Sequence, residues 1–242
     1  METTKVVREE YKYFINNNEI IYLRKMLSEL MDTDPNSNES NKYKVTSLYF
    51  DTPKKNALEE KQSGIFYREK FRIRNYNSDN SVIKFESKQR ANSAINKTSK
   101  ILSITETKNI INGNYKDFLS HNDQFLNETY IKFKSSGYKP SIIVEYDREA
   151  YQLSYGNIRI TFDMDLRTYN SNTNILEIDT LGIPIFLDGL QVLEVKFSSD
   201  LPDYIKKVLS KITGNRNAIS KFVFGQKYLD ESPWRDRIFS PY

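Results

Sequence analysis

The chain has 242 residues, of which 38% are hydrophobic and 28% charged, so its length and composition suit one large globular domain. It has no cysteine and a single histidine, His121, which excludes disulfides, thiolate metal sites and a site built from two histidines of one chain. A net charge of +4 is too small to indicate nucleic-acid binding by itself, and no apolar run approaches the roughly 20 residues of a membrane-spanning helix. The charged first ten residues lack the apolar core of a signal peptide, so we expect a cytoplasmic protein with His121 on its surface.

Apolar periodicity predicts an alternation of strands and helices without a linker or an internal repeat, which indicates a single domain over residues 1–242. In chain order the predicted elements are strand 7–15, helix 17–31, strand 43–51, helix 53–62, strands 67–76 and 81–90, helices 105–119 and 123–135, strands 141–151, 157–163, 176–178 and 191–198, and helix 200–212.

The strands 67–76 and 81–90 are joined by turn residues and are expected to pair as an antiparallel hairpin. Side chains two apart on a strand share a face, so one surface of this hairpin collects seven cations and one carboxylate: Arg68, Lys70, Arg72, Arg74, Lys84, Glu86, Lys88 and Arg90. Such a row of like charges is destabilising unless an anion neutralises it, and the planar guanidinium of arginine suits bidentate recognition of phosphate. The pattern therefore favours an anion-binding surface over a solvated outer face.

Three strands carry a Glu-x-Lys pair on the polar face, namely Glu10/Lys12, Glu86/Lys88 and Glu194/Lys196. Arg159 has the same polar-face position on strand 157–163, while the opposite faces are apolar and need helices to cover them. The sequence thus predicts a closed or nearly closed sheet whose charged interior holds a polyanion. Carboxylates among the cations are suitable ligands for Mg²⁺ or Mn²⁺ bridging to phosphate oxygens.

Eight short segments occur in the order in which one known family has them. They are Arg8-x-Glu10-x-Lys12-Tyr13, Ser47–Thr52, Lys70–Tyr76, Phe85–Lys88, Tyr146–Tyr151, Arg159–Asp163, Val192–Lys196 and Ser220–Phe222. On these segments the chain, over about 7–228, resembles the VTC domain, the catalytic domain of the vacuolar transporter chaperone polyphosphate polymerases. That domain belongs to the triphosphate tunnel, or CYTH-like, superfamily.

The resemblance implies an α+β fold, an antiparallel β-barrel tunnel with helices packed outside, and an enzyme that extends polyphosphate from ATP with Mn²⁺ or Mg²⁺. It implies catalytic roles for the cations Arg72, Arg74, Lys12 and Arg159. Substrate-binding roles fall on Arg8, Lys70, Lys84, Lys88, Arg90, Lys97, Lys100, Arg148, Lys196 and Lys221. It also implies that Glu194 binds the metal and that Glu10 and Glu86 assist as further ligands.

One segment departs from the family pattern, because Lys97-Thr-Ser-Lys100 stands where the family usually has a Lys-Arg-Arg-like cluster. Either Lys97 or Lys100 is expected to supply the basic contact of that cluster. The regulatory SPX domain and the membrane helices of eukaryotic complexes are not found in the sequence, so we expect a stand-alone catalytic domain, with a membrane partner left open.

Phosphoryl transfer needs positioning and charge neutralisation more than a protein nucleophile, which suits a chain without cysteine. Neither a GxxxxGK[ST] phosphate loop nor a GxGxxG fingerprint is present. Two alternatives use the same tunnel, a hydrolase of triphosphate or nucleoside triphosphates and a non-catalytic polyphosphate-binding module. A nucleic-acid partner is not expected, because the basic strands lack an exposed aromatic stacking pattern.

Overall fold

The computed structural model describes residues 9–91 and 94–231, in which helices and an antiparallel sheet form the predicted α+β class. The described strands are β1 (Glu9–Ile15), β2 (Asp32–Thr33), β3 (Lys42–Asp51), β4 (Tyr67–Tyr76), β5 (Ile83–Ala91), β6 (Ala94–Leu102), β7 (Lys139–Leu153), β8 (Ile158–Asn170), β9 (Ile183–Pro184) and β10 (Gln191–Phe197). The described α-helices are α1 (Asn17–Leu30), α2 (Asn56–Gln62), α3 (Ile104–Ile111), α4 (Gln124–Ser136), α5 (Asp203–Leu209) and α6 (Lys221–Glu231). Short 3-10 segments cover Tyr115–His121 and Tyr155–Asn157.

The main strands are hydrogen-bonded in the order β1-β10-β8-β7-β3-β4-β5-β6, with β2 added on β7 and β9 on β8. The chain divides into two compact units, and β3, β7 and β8 each contribute residues to both. The first unit comprises the described residues up to 44, with 146–166 and 184–220. The second comprises 45–145, 167–183 and the described residues from 221 onward.

In the first unit, helices α1 and α5 cover the apolar face of β1, β8 and β10. Helix α1 starts at a capping box, in which the Asn16 side chain accepts from the Glu19 backbone while the Glu19 carboxylate accepts from the Asn16 backbone. Its buried side chains, Ile20, Leu23 and Leu27, recur at helical spacing and pack on the sheet.

In the second unit, helices α3 and α4 cover the apolar face of β3, β4 and β5. Phe133 of α4 lies 5.1 Å, ring centre to ring centre, from Phe71 of β4 and 5.9 Å from Phe85 of β5. This aromatic cluster fixes which face of β4 and β5 is buried. The alternate residues, which are the charged ones, are thereby directed to the other face.

Several parts of the structure differ from the predictions. The predicted helix 105–119 is divided into α3 and the 3-10 segment Tyr115–His121. Residues 176–178 do not form a strand, because Leu176 and its neighbours lie in a turn in which the Asn174 side chain accepts from the Leu176 backbone. Strand β6 was not predicted, since its polar residues do not alternate with apolar ones, and its pairing with β5 sets its conformation.

Helix α6 was also not predicted, because Gly225 and several aromatic residues weaken its helical pattern. The glycine has a packing reason, since a Cβ at this position would lie 3.0 Å from Val144 and 3.1 Å from Ile142. Among the described residues, no helix is both long enough and apolar enough to cross a membrane.

Candidate functional site

The charged residues of β4, β5 and β6 form a surface that we call the arginine face. Its members are Arg68, Lys70, Arg72, Arg74, Lys84, Glu86, Lys88, Arg90 and Lys97. Between β4 and β5 the register sets Arg68 opposite Arg90, Lys70 opposite Lys88, Arg74 opposite Lys84 and Arg72 opposite Glu86. Three of these four cross-strand pairs therefore place a cation directly opposite a cation, which is unfavourable unless an anion lies over them.

Glu86 is the carboxylate around which the arginine face is organised. It is 1% exposed, and its Oε2 accepts from Arg72 at 2.6 Å and lies 3.9 Å from Arg74 Nη1. Its Oε1 lies 2.5 Å from Lys97 Nζ. Burial by itself would raise the pKa of Glu86, but the charges of Arg72 and Arg74, with Lys97, outweigh burial and lower the pKa to about 2.

Both oxygens of Glu86 thus lie against cations, so Glu86 serves as their counter-ion in this structure, and its role as a further metal ligand stays a prediction. A carboxylate in this position holds Arg72 and Lys97 at fixed places on the face. The cations of the arginine face still outnumber this one carboxylate, so the face keeps an excess of positive charge.

Substituting this counter-ion should have a measurable, pH-dependent effect on stability. The folded-state pKa of Glu86 is below its ordinary 4.5, so the carboxylate stabilises the fold fully above pH 4.5 and loses that effect as the pH falls toward 2. We expect Glu86→Gln to lower the free energy of unfolding at pH 7 by ~2–3 kcal/mol, a difference that shrinks below pH 4.5. Urea unfolding at several pH values measures it.

The control is Glu59→Gln on α2, which removes an exposed carboxylate of the same unit and should leave stability unchanged. Equal unfolding of wild type and Glu86→Gln at pH 7 would show that Glu86 is not the counter-ion.

Aromatic and hydroxyl groups of β3 and α6 border the arginine face. Ser47 Oγ accepts from Arg74 Nε at 3.2 Å, and the Tyr49 hydroxyl accepts from Arg72 at 3.4 Å. Burial would raise the pKa of Tyr49, but the charges of Arg72 and Arg74, with Lys221, lower it below the ordinary value. Lys221 at the start of α6 is therefore electrostatically coupled to this face.

The next residue of α6, Phe222, joins the same face. Its ring lies 5.1 Å from the Tyr49 ring, and the Lys70 ammonium lies 4.7 Å from its centre. The aromatic ring thus takes part in holding Lys70 by a cation–π contact.

The charged residues of β1, β7, β8 and β10 in the first unit, with the hydroxyl residue Thr161 among them, form a second surface, which we call the glutamate face. Its members are Glu10, Lys12, Arg148, Arg159, Thr161, Asp163, Glu194 and Lys196. The register sets Lys12 opposite Glu194, Glu10 opposite Lys196, and Lys196 opposite Arg159. Every Glu-x-Lys pair of this unit thus lies on one surface.

Glu194 lies at the centre of the glutamate face and is 5% exposed. Its carboxylate is 3.0 Å from Lys196, 3.3 Å from Lys12 and 3.7 Å from Arg148. Arg148 is itself fixed by two hydrogen bonds to Asp163, at 2.6 and 2.8 Å. Burial opposes the charge of Arg148, but Asp163 outweighs burial and raises the pKa of Arg148.

Lys196 is the most strongly perturbed lysine of this face. Burial lowers the pKa of Lys196 to about 8, although Glu194 and Glu10 act in the opposite direction. Glu10 contacts Lys196 at 3.4 Å and Lys12 at 3.7 Å. The two lysines therefore bridge the two carboxylates.

The expected divalent metal needs oxygen ligands, and Glu10 and Glu194 offer carboxylates on neighbouring strands of one face. No group of three His, Cys, Asp or Glu residues in the described part of the chain is arranged to hold a metal ion. Mg²⁺ commonly binds through one or two carboxylates together with substrate phosphates. The donor set therefore fits a metal that is completed by phosphate oxygens.

Arg159 has partners that the sequence pattern did not indicate. Its guanidinium donates to Asp34 and, at 2.9 Å, to the Tyr43 hydroxyl. Asp34 is 3% exposed and also accepts from the Asn36 backbone and side chain. Asp34 lies in an Asn-rich loop and Tyr43 near the start of β3, so no period-two pattern relates either residue to Arg159.

The remaining predicted site residues lie elsewhere. Lys100 pairs with Phe85 in the β5–β6 register, so it lies on the face opposite the arginine face, where it contacts Asp123 at the start of α4. Of the two predicted alternatives, the structure brings Lys97 to the arginine face and not Lys100. Arg8 lies outside the described residues.

Comparison with known proteins gives one family and a set of similar folds. A family model described as the VTC domain matches residues 7–230. HpAC1 from Hippeastrum, a proposed adenylyl cyclase with a dominant triphosphatase activity, is 12% identical, with a TM-score of 0.53 and coverage of 90% of this chain and 94% of that chain. A proposed adenylate cyclase from Bacillus halodurans is 15% identical, with a TM-score of 0.48 and coverage of 97% and 100%.

A search of curated proteins finds no match to the sequence. The likeness to HpAC1 confirms the predicted fold class, the triphosphate tunnel fold.

Proposed function

Because the chain belongs to the VTC domain family, we propose that it is a polyphosphate polymerase, which transfers the γ-phosphate of ATP to a growing polyphosphate chain. The observation that carries the proposal is the arginine face, where three of the four charged pairs between β4 and β5 place a cation opposite a cation. A chain of phosphates supplies the negative charge that such a surface lacks. The family match over residues 7–230 supports one catalytic domain.

The proposed reaction is a phosphoryl transfer without a covalent enzyme intermediate. An oxygen of the terminal phosphate of polyphosphate, or of a starter phosphate, attacks the γ-phosphorus of ATP. The bond between that phosphorus and the β,γ-bridging oxygen breaks, and ADP leaves with the electron pair on the bridging oxygen. The acceptor chain becomes one phosphate longer.

The arginine face stabilises the charge of the phosphates. Arg72 and Arg74 come from one strand; Arg72 donates to Glu86 and Arg74 donates to Ser47, so both are oriented before the substrate binds. Donors held in advance need little reorganisation when charge develops on the transferring group. Lys70, Lys84, Lys88 and Lys97 extend the same positive surface along the phosphate chain.

The glutamate face supplies further cations together with carboxylates. Lys12 and Arg159 neutralise phosphate charge, and Arg148 and Lys196 hold Glu194 in place. Glu194 and Glu10 would hold a divalent metal, which when bound neutralises triphosphate charge and polarises phosphate oxygens. Mg²⁺ and Mn²⁺ both suit carboxylate and phosphate oxygens.

A second candidate function is the hydrolysis of triphosphate. One observation favours it, namely the similar fold of HpAC1, a protein with a dominant triphosphatase activity. Water would replace the phosphate chain as nucleophile, and the charged residues would act in the same way. The two reactions differ only in their acceptor, so they differ in their products.

The test is to incubate the purified chain with ATP and Mn²⁺ and to size the products on a polyphosphate-stained gel. The polymerase proposal expects a ladder of chains that lengthens with time. If orthophosphate and ADP form without longer chains, the chain is a hydrolase and not a polymerase. If ATP is unchanged while the protein still binds polyphosphate, the chain is a non-catalytic binding module.

A further inference from the structure

Thr161 is a buried hydroxyl on the glutamate face to which the reaction above assigns no role. It lies on β8 between Arg159 and Asp163, and the register places it directly opposite Glu194 of β10. The residue is 1% exposed, and its Oγ1 has no hydrogen-bond partner within the part of the chain that the structure describes.

The neighbours of Thr161 do not satisfy it, because each is engaged elsewhere. Arg159 donates to Asp34 and Tyr43, and Asp163 accepts both hydrogen bonds from Arg148. The carboxylate of Glu194 lies against Lys12, Lys196 and Arg148. A hydroxyl carries one donor and two acceptor sites, and burying it unpaired destabilises the folded state.

The surroundings of this hydroxyl indicate what would pair with it. Four cations, Lys12, Lys196, Arg148 and Arg159, lie around it, each beside a carboxylate, and an ionised phosphate oxygen only accepts hydrogen bonds. A hydroxyl that donates to an anionic oxygen forms a charge-assisted bond, which is stronger than a bond between neutral groups.

We propose that Thr161 Oγ1 donates a hydrogen bond to a phosphate oxygen of the bound triphosphate or polyphosphate. The proposal rests on the proposed function, and it deepens it by adding an uncharged donor to a site otherwise made of ions. Because a hydrogen bond requires a defined geometry, Thr161 makes binding depend on the position of a phosphate oxygen as well as on its charge.

The test compares variants that differ in the hydroxyl alone, with tripolyphosphate as the probe. Thr161→Val keeps the shape of the wild-type side chain without its hydroxyl, and Thr161→Ala and Thr161→Ser differ from each other only by the oxygen. Calorimetry in the presence of a metal chelator measures the affinity of the protein itself. We expect Thr161→Val to bind about 10-fold more weakly than wild type, and Thr161→Ala about 10-fold more weakly than Thr161→Ser.

Thermal unfolding without ligand gives the second readout. The midpoint of Thr161→Val should not be lower than that of wild type, because the variant loses an unpaired buried hydroxyl. Equal affinities within both pairs, or a loss of stability in Thr161→Val that Thr161→Ser does not share, would overturn the proposal. If wild type does not bind tripolyphosphate even when Mn²⁺ is added, the proposed function fails first, and this inference fails with it. Should Thr161→Val not fold, the alanine and serine pair decides.

Discussion

Arg72→Ala and Arg74→Ala are each expected to lower the rate of polyphosphate synthesis by about 100-fold or more, the typical effect of losing one donor from a preorganised charge-stabilising site. The structure gives the reason, since Arg72 donates to the buried carboxylate of Glu86 and Arg74 donates to Ser47 of β3. Each arginine is therefore held in place before substrate arrives. Synthesis rates at saturating ATP, corrected for folded protein, measure the effect.

Arg72→Lys separates charge from geometry. A lysine keeps the positive charge but cannot donate to Glu86 and a phosphate through a planar fork, so we expect a rate between those of wild type and Arg72→Ala. Lys206→Ala is the matched control, because it removes one exposed cation of α5 whose partner, Asp203, is also exposed. Wild-type rates in both alanine variants would remove the arginine face from catalysis.

Stability needs its own measurement in these variants. The charge pattern alone suggests that removing a cation from a repulsive row leaves the fold intact. The structure adds a cost, because Arg72→Ala takes the 2.6 Å partner from a buried carboxylate and leaves it with Lys97 and Arg74. We expect a loss of about 1–2 kcal/mol, less than for a buried ion left wholly unpaired.

Glu194→Gln has the second large expected effect, a fall in ATP turnover of about 100-fold with little loss of phosphate binding. The substitution keeps the shape of the side chain and removes one negative charge from among Lys12, Lys196 and Arg148. These cations then have more positive charge to offer an anion. Tripolyphosphate measured in a metal chelator should therefore bind as tightly as to wild type, or more tightly.

The rival interpretation is that Glu194 is only a structural ion pair. Glu149→Gln is the control, because Glu149 is equally buried in the same unit but pairs with Arg24 of α1, away from the glutamate face. Glu149→Gln should lose stability while keeping its turnover per folded molecule. If Glu194→Gln behaves in the same way as Glu149→Gln, the metal assignment is wrong.

The charged faces could be predicted from the sequence because strand periodicity is a strong local rule. On β4 and β5 the charged residues, among them Arg72, Arg74 and Glu86, occupy every second position, and residues at the alternate positions, such as Phe71 and Phe85, are buried on the other face. The same rule predicted that Glu10/Lys12 and Glu194/Lys196 share a polar surface, whereas the pairing of Lys12 with Glu194 is seen only in the structure.

The predictions failed where tertiary contacts decide. The polar segment 94–102 has no apolar alternation, so only its pairing with β5 shows that Lys97 and not Lys100 reaches the arginine face. Asp34 contacts Arg159 across 125 positions of sequence, a distance that no local pattern spans. In helix α6, Gly225 packs closely against Val144, a contact that composition alone does not reveal.

The most direct test of the central claim is the fate of the γ-phosphate of ATP. With ATP labelled in that phosphate and a short polyphosphate primer, the label should pass into polyphosphate chains longer than the primer, with one ADP formed for each phosphate added. Release of all the label as orthophosphate, with the primer unchanged in length, would contradict the account.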